Sequence, residues 1–176
     1  MQLRIELVGA EPPIWRRVLV PGSVRLSKLR AMLQAAIGWT DSHLHCFRIG
    51  DRLYGTRFPD PLPDEIDEKT ATVDQALRGV DRFVYEHDFG DGWEHEVTIE
   101  SRPRRPNGLK CAVCVDGQNA CPPEDSGGVH GYALMLDALA DPSHEDHAMY
   151  LEWLDGPFDA EAFDLTAINV ALQRVR

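Results

Sequence analysis

The sequence predicts an α+β fold: a mixed or antiparallel, grasp-like sheet around one helix, in the order β-β-α-β-β-β, with a C-terminal three-helix segment packed on it. Three observations predict it. Short period-two apolar runs fill the first hundred positions, one strongly amphipathic helix interrupts them, and helical spacing takes over after about residue 127.

The elements follow in order. Residues 2–8 alternate, with Leu3, Ile5 and Leu7 on one face. Glu11-Pro12-Pro13 breaks that run, and residues 14–20 supply a second strand closed by Pro21-Gly22, so the two form a hairpin. In the helix over residues 26–37, Leu29, Met32, Leu33, Ala36 and Ile37 share one face. Gly38 stands where a left-handed C-cap would end it. Residues 44–49 and 52–54 read as strands about a Gly50-Asp51 turn. Residues 58–70, with Asp60, Asp64, Glu65, Asp67, Glu68 and several prolines, read as a solvated loop. A short helix over 73–77 ends at Gly79. Residues 83–88 and 93–100 are strands joined by Phe89-Gly90-Asp91-Gly92, where Asp-Gly between alternating runs signals a hairpin.

Beyond Gly108 the pattern changes. Val129, Tyr132, Ala133, Leu136 and Leu139 mark a helix stopped at Asp141-Pro142. Ser143 with Asp146 resembles a capping box for a second helix reaching Leu154. Asp164 caps a third, buried through Leu165, Ile168, Leu172 and Val175. With no flexible linker between them, a sheet part (about 1–100) and a helical part (about 127–176) are expected to form a single domain over 1–176.

Composition narrows the function. Hydrophobic residues at 43% and charged residues at 27% are ordinary for a globular chain. No apolar run approaches the ~20 residues of a membrane span. The chain alternates from its first residues, so a secretory signal is not expected; residence is expected in the cytoplasm, with Cys46, Cys111, Cys114 and Cys121 reduced. Eighteen basic residues against 29 acidic give a net charge of −11, and that field disfavours non-specific nucleic-acid binding. The one basic cluster, Arg102, Arg104, Arg105 and Lys110, is either a solubilising loop or a contact for phosphate or an acidic partner. Neither a Gly-x-Gly-x-x-Gly loop with a Lys-Ser/Thr pair nor a Gly-x-Ser-x-Gly elbow occurs, which excludes those nucleotide and serine-hydrolase sites.

Three segments carry candidate chemistry. In the hairpin, His87, Trp93 and His95 share the parity of Tyr85, and Asp88 and Asp91 sit at the turn; together they could ligate a metal or move protons. The alternative gives the aspartates turn hydrogen bonds and makes the histidines polar packing. After the first helix, His43 and His45 have like parity and could reach one ion, or His43 could serve local backbone. Cys111-x-x-Cys114 with Cys121 could hold zinc, with Cys46, a histidine or water as fourth ligand; small buried thiols are the alternative. Glu124 and Asp125 precede Gly127-Gly128 and a helix, where helix amides favour carboxylates.

Together, Pro12-Pro13-Ile14-Trp15-Arg16-Arg17, Gly38-Trp39-Thr40-Asp41-Ser42-His43-Leu44, Tyr85-Glu86-His87-Asp88-Phe89-Gly90-Asp91-Gly92-Trp93 and Ala120-Cys121-Pro122-Pro123-Glu124-Asp125 resemble the Ri-plasmid ORF-3-like family. The resemblance runs from Leu3 to about Leu172. It implies an α+β fold and, through relatives on plasmids and transposon-like elements, a DNA-related context by association; it carries no catalytic residue. Relatives often have cysteine where this chain has Ser126, which implies a weaker metal site here unless Cys111 substitutes.

The expected function is a non-enzymatic binding or accessory module for a protein or small-molecule partner, with a structural metal. One alternative is a metal-dependent hydrolase or nuclease-like enzyme using His43, His45, Asp88, Asp91 and His95. Another is a DNA-transaction accessory using Arg102, Arg104 and Arg105. All metal-based readings need the hairpin tip, the post-helix histidines and the cysteine segment to meet at one corner.

Overall fold

Alternation in the first twenty residues forms the hairpin it predicts. β1 (Gln2–Leu7) and β2 (Trp15–Leu19) pair antiparallel, with Leu3 opposite Val18 and Ile5 opposite Arg16. The computed structural model describes residues 1–40, 42–56, 64–102 and 108–175. α1 (Leu26–Ile37) buries Leu26, Leu29, Met32, Leu33, Ala36 and Ile37, and Gln34 with them. Gly38 ends it at φ 119°, its N–H donating to the Gln34 carbonyl at 2.8 Å.

The remaining described elements are β3 (His45–Ile49), β4 (Arg52–Gly55), β5 (Glu65–Asp67), α2 (Val73–Ala76), β6 (Arg82–His87), β7 (Trp93–Ser101), β8 (Val113–Gln118), α3 (Gly128–Ala140), α4 (His147–Trp153) and α5 (Leu165–Arg174). The strands form one eight-stranded mixed sheet in the order β5-β4-β3-β6-β7-β1-β2-β8. Among the described residues only the β4–β5 pair is parallel. One sheet face presents Leu3, Ile5, Val18, Phe47, Tyr85, Trp93 and Val97 to α1, and all are buried. The other carries ion pairs such as Arg17 with Glu100 and Asp116, and Arg48 with Glu86 and Glu94. Exposed pairs of this kind add little stability.

Two strands depart from the sequence expectation. β5 lies inside the acidic segment read as loop, of which residues 58–63 fall outside the described residues; three residues gain order by pairing with β4. β8 takes in Cys114 and tolerates Gly117 because a side chain there would strike Phe163 and the Trp15 carbonyl. β8 is one edge of the sheet, and Asn169 of α5 covers it by accepting from Cys114 N and donating to Cys114 O, each at 2.9 Å.

The helical third holds smaller surprises. Asp164 caps α5 as expected, accepting from Ala167 N. The capping box does not form. Ser143 amide and hydroxyl both donate to Asp141 Oδ1, and Asp146 precedes α4 with no side-chain cap bond. In α5 Leu172 is buried, Ile168 and Val175 are partly so, and Leu165 is exposed. Leu172, Tyr132 and Met135 join the same buried cluster as α1 and the sheet. Among the described residues no helix is long and apolar enough to cross a membrane.

Arg16 shows how the parts are tied. It shares the inward parity of Ile14 and Val18 and is buried. Its guanidinium donates to four carbonyls, Ala36 at the end of α1, Trp15, Gln118 and Asn119, and lies over the Phe163 ring. Five donors in a planar fork suit that task, so the helix end and two strands share one hub.

Candidate functional site

The corner the sequence nominated is built where Gly38 ends α1. Immediately after it, the Trp39 indole N–H donates to the Pro122 carbonyl at 2.9 Å, which draws the segment containing Glu124 and Asp125 onto the helix end. Trp39 also stacks on His87, with ring centroids 5.0 Å apart, and meets His95 edge-on. Thr40 and Ser42 then fix Glu124: Thr40 Oγ1 donates to Oε2 at 2.6 Å, and Thr40 N donates to Oε1 at 3.2 Å.

From the other side comes the β6–β7 tip. Its connection is five residues long, and Asp88 takes a left-handed conformation at φ 54°. Asp88 Oδ1 accepts from Gly90 N at 2.9 Å, while Oδ2 is left to face His43 Nδ1 at 3.3 Å. Asp91 Oδ2 accepts from Gly127 N at 3.0 Å, pinning the tip to the start of α3. Gly128 has φ 69°, and a Cβ there would run into the Asp91 backbone carbonyl.

Three donors converge between these segments. His43 lies 3.3 Å from Asp88 and, through Nε2, 3.5 Å from Asp125 Oδ1. One ligand atom from each of His43, Asp88 and Asp125 falls within 4.8 Å of the others, the one such set of His, Cys, Asp or Glu among the described residues. Behind them His87 is buried. Its Nδ1 accepts from Gln34 Nε2 at 2.9 Å, which puts the ring hydrogen on Nε2. That Nε2 has no hydrogen-bond partner among the described residues and faces Glu124 Oε1 at 3.9 Å. Burial, and then the neighbouring His43, lower the His87 pKa to about 4.

The other nominated residues have different positions. His45 does not join His43, because β3 starts at His45 and strand parity does not extend back to 43. Its Nε2 lies 3.0 Å from Glu68 Oε2, both groups buried. His95 donates from Nδ1 to the Tyr85 carbonyl at 3.3 Å and is fully enclosed, with its pKa lowered to about 3 by desolvation. Trp93 is core. Asp91 serves Gly127, so the five-residue hydrolase set is not assembled. The thiols do not assemble either. Cys114 Sγ donates to Asp116 O and Cys121 Sγ to Pro122 O, burial raises the pKa of both, and none of the four cysteines is in a disulfide. Ser126 Oγ donates to Pro123 O. Arg102 donates to the Leu77 and Val80 carbonyls, while Arg104, Arg105 and Asp41 lie outside the described residues.

Sequence reasoning missed Gln34, Glu68 and the positioning role of Trp39. Gln34 borders the apolar stripe of α1, and nothing in its spacing marks it as inward. Glu68 was hidden in an acidic run.

The chain belongs to the plasmid pRiA4b ORF-3-like protein family, whose model matches residues 1–167. It is similar to the uncharacterized protein y4hQ of Sinorhizobium fredii (strain NBRC 101917 / NGR234), with 41% identity over 181 residues, covering 98% of this chain and 90% of that one. It is also similar in fold to a solved structure, the protein of unknown function MM3350 from Methanosarcina mazei Go1. That likeness has a TM-score of 0.84 and 33% identity, covering 93% of this chain and 94% of the other.

Proposed function

We propose that the protein is a binding module centred on a divalent first-row transition ion held by His43, Asp88 and Asp125. One observation carries the reading: ligand atoms from three segments far apart in sequence lie within 4.8 Å, with the unpartnered Nε2 of buried His87 directed toward the same corner. One imidazole and two carboxylates mix nitrogen and oxygen donors, a set that suits zinc or manganese better than a soft, thiolate-seeking ion. The net charge of −11 favours a cation over any anion at this corner. Glu124, held by Thr40 and Ser42, faces His87 beside the donors, where it would orient a ligand or an ion-bound water.

Metal analysis of untagged protein purified without chelators tests this, followed by calorimetric titration with Zn²⁺ and with Mn²⁺. Uptake of about one equivalent is expected, with His43→Ala and Asp88→Asn each weakening it at least about tenfold. Less than about a tenth of an equivalent of either ion, at purification and on titration, would remove the reading.

A further inference from the structure

Asp125, alone of the three donors, also lines a cleft of about 280 Å³ together with Ser126, Met149, Tyr150 and Trp153. Asp125 belongs to both places. Its side chain, 72% exposed, forms one end of the cleft wall while facing His43. The opposite wall is apolar and comes from α4. That helix has no buried residue, and Met149 and Trp153 are 50% and 47% exposed. Tyr150 packs partly against the core and holds Trp153 edge-on, with ring centroids 6.3 Å apart. The indole is therefore braced from behind yet open in front.

A cleft with an aromatic and thioether wall at one end and a cation at the other selects a molecule with matching ends. In a chain of net charge −11 a free carboxylate is repelled from Asp125 and Asp88; a bound cation reverses the local sign. The apolar end favours a ring, which gains from edge or offset contact with an indole and from a methionine sulfur. The volume lies just below the usual range for small-molecule pockets and suits one ring with a short side chain.

We propose that this cleft binds a small aryl carboxylate, its carboxylate on the cation held by His43, Asp88 and Asp125, and its ring against Trp153 and Met149. The proposal rests on the cation reading above. The alternative use of an open Trp–Met face, contact with another protein copy, is separated from it by experiment.

The test uses the full chain and phenylacetate, with acetate as the probe lacking a ring. Cation stoichiometry is measured first, then each carboxylate is titrated into cation-loaded and cation-free protein. Phenylacetate is expected to bind the loaded protein at least about tenfold more tightly than acetate and to bind the cation-free protein no better than acetate does. Trp153→Ala and Met149→Ala should erase the preference while leaving cation stoichiometry and acetate binding unchanged, and Trp153→Phe should keep most of it. If the wild type takes up no cation, the cation reading falls and this one with it. If it takes up the cation but does not distinguish phenylacetate from acetate, this inference alone falls. It falls equally if Trp153→Ala turns a dimer into a monomer without touching phenylacetate binding.

Discussion

Single side chains in this protein carry roles that alternation only half reveals. Arg16 has the parity of Ile14 and Val18, so the sequence places a guanidinium inside the core; that it serves four carbonyls and no carboxylate depends on the end of α1 and on Gln118 and Asn119, more than a hundred residues away. His95 is similar. Its parity with Trp93 and Val97 was legible, whereas its full burial depends on Trp39 closing over it. The consequence is a stability term with a definite sign. The folded pKa of about 3 lies below the unfolded value of 6.5, so above pH 6.5 both states are neutral and no proton is taken up on unfolding. Below it the unfolded chain gains a proton that the folded one refuses, and stability falls by about 1.4 kcal/mol per pH unit until the folded pKa is reached. Denaturant unfolding of wild type and His95→Gln between pH 6 and pH 4 measures this. The wild-type slope should exceed that of the variant by about one proton, and parallel curves would show that His95 titrates normally.

At the level of elements, the hairpin over 83–100 was legible because alternating runs flanked Asp-Gly, and so were its tip carboxylates, but not which partner each one faces. The sequence read the connection as the four residues 89–92, with Asp88 as the last residue of a strand. The five-residue connection instead turns Asp88 toward His43 and Asp91 toward Gly127. β8 was illegible for the opposite reason: Gly117 and the Cys-x-x-Cys spacing masked an edge strand whose glycine exists for close approach. The docking of the tip on α3 depends on Gly128, which combines positive φ with a backbone carbonyl where Cβ would stand. Gly128→Ala is expected to cost about 1–3 kcal/mol of stability through αL strain and the displaced tip. It should also weaken cation uptake, because Asp88 and Asp125 sit on the two surfaces being forced apart. Chemical denaturation alongside metal titration checks both. A variant with reduced stability but unchanged cation affinity would mean that the tip docking does not set the donor spacing.

At the scale of the molecule, the sequence showed which faces are apolar and which strands join as hairpins, but not how the hairpins are ordered in the sheet. β1 pairs with β7, and β3 with β6, across separations that no local pattern encodes. That non-local order is what gathers residues 43, 88 and 125 at one corner. A cation there would cross-link the end of α1, the β6–β7 tip and the α3 approach, three parts that must all be in place for it to bind. Binding that requires the native fold stabilises it by mass action: at a free cation concentration 100 times Kd the gain is about 2.7 kcal/mol. For a chain of this size that corresponds to a rise in Tm of roughly 5–10 °C. The shift should appear on adding Zn²⁺ or Mn²⁺, reverse with chelator, and vanish in Asp125→Ala, each protein being compared with its own cation-free form because residue 125 lies at φ 61°. Differential scanning calorimetry of the two proteins with and without cation decides the matter. An equal shift in Asp125→Ala would place the cation elsewhere on an acidic surface, and no shift in the wild type would leave the His43, Asp88 and Asp125 contacts as a latch made of hydrogen bonds alone.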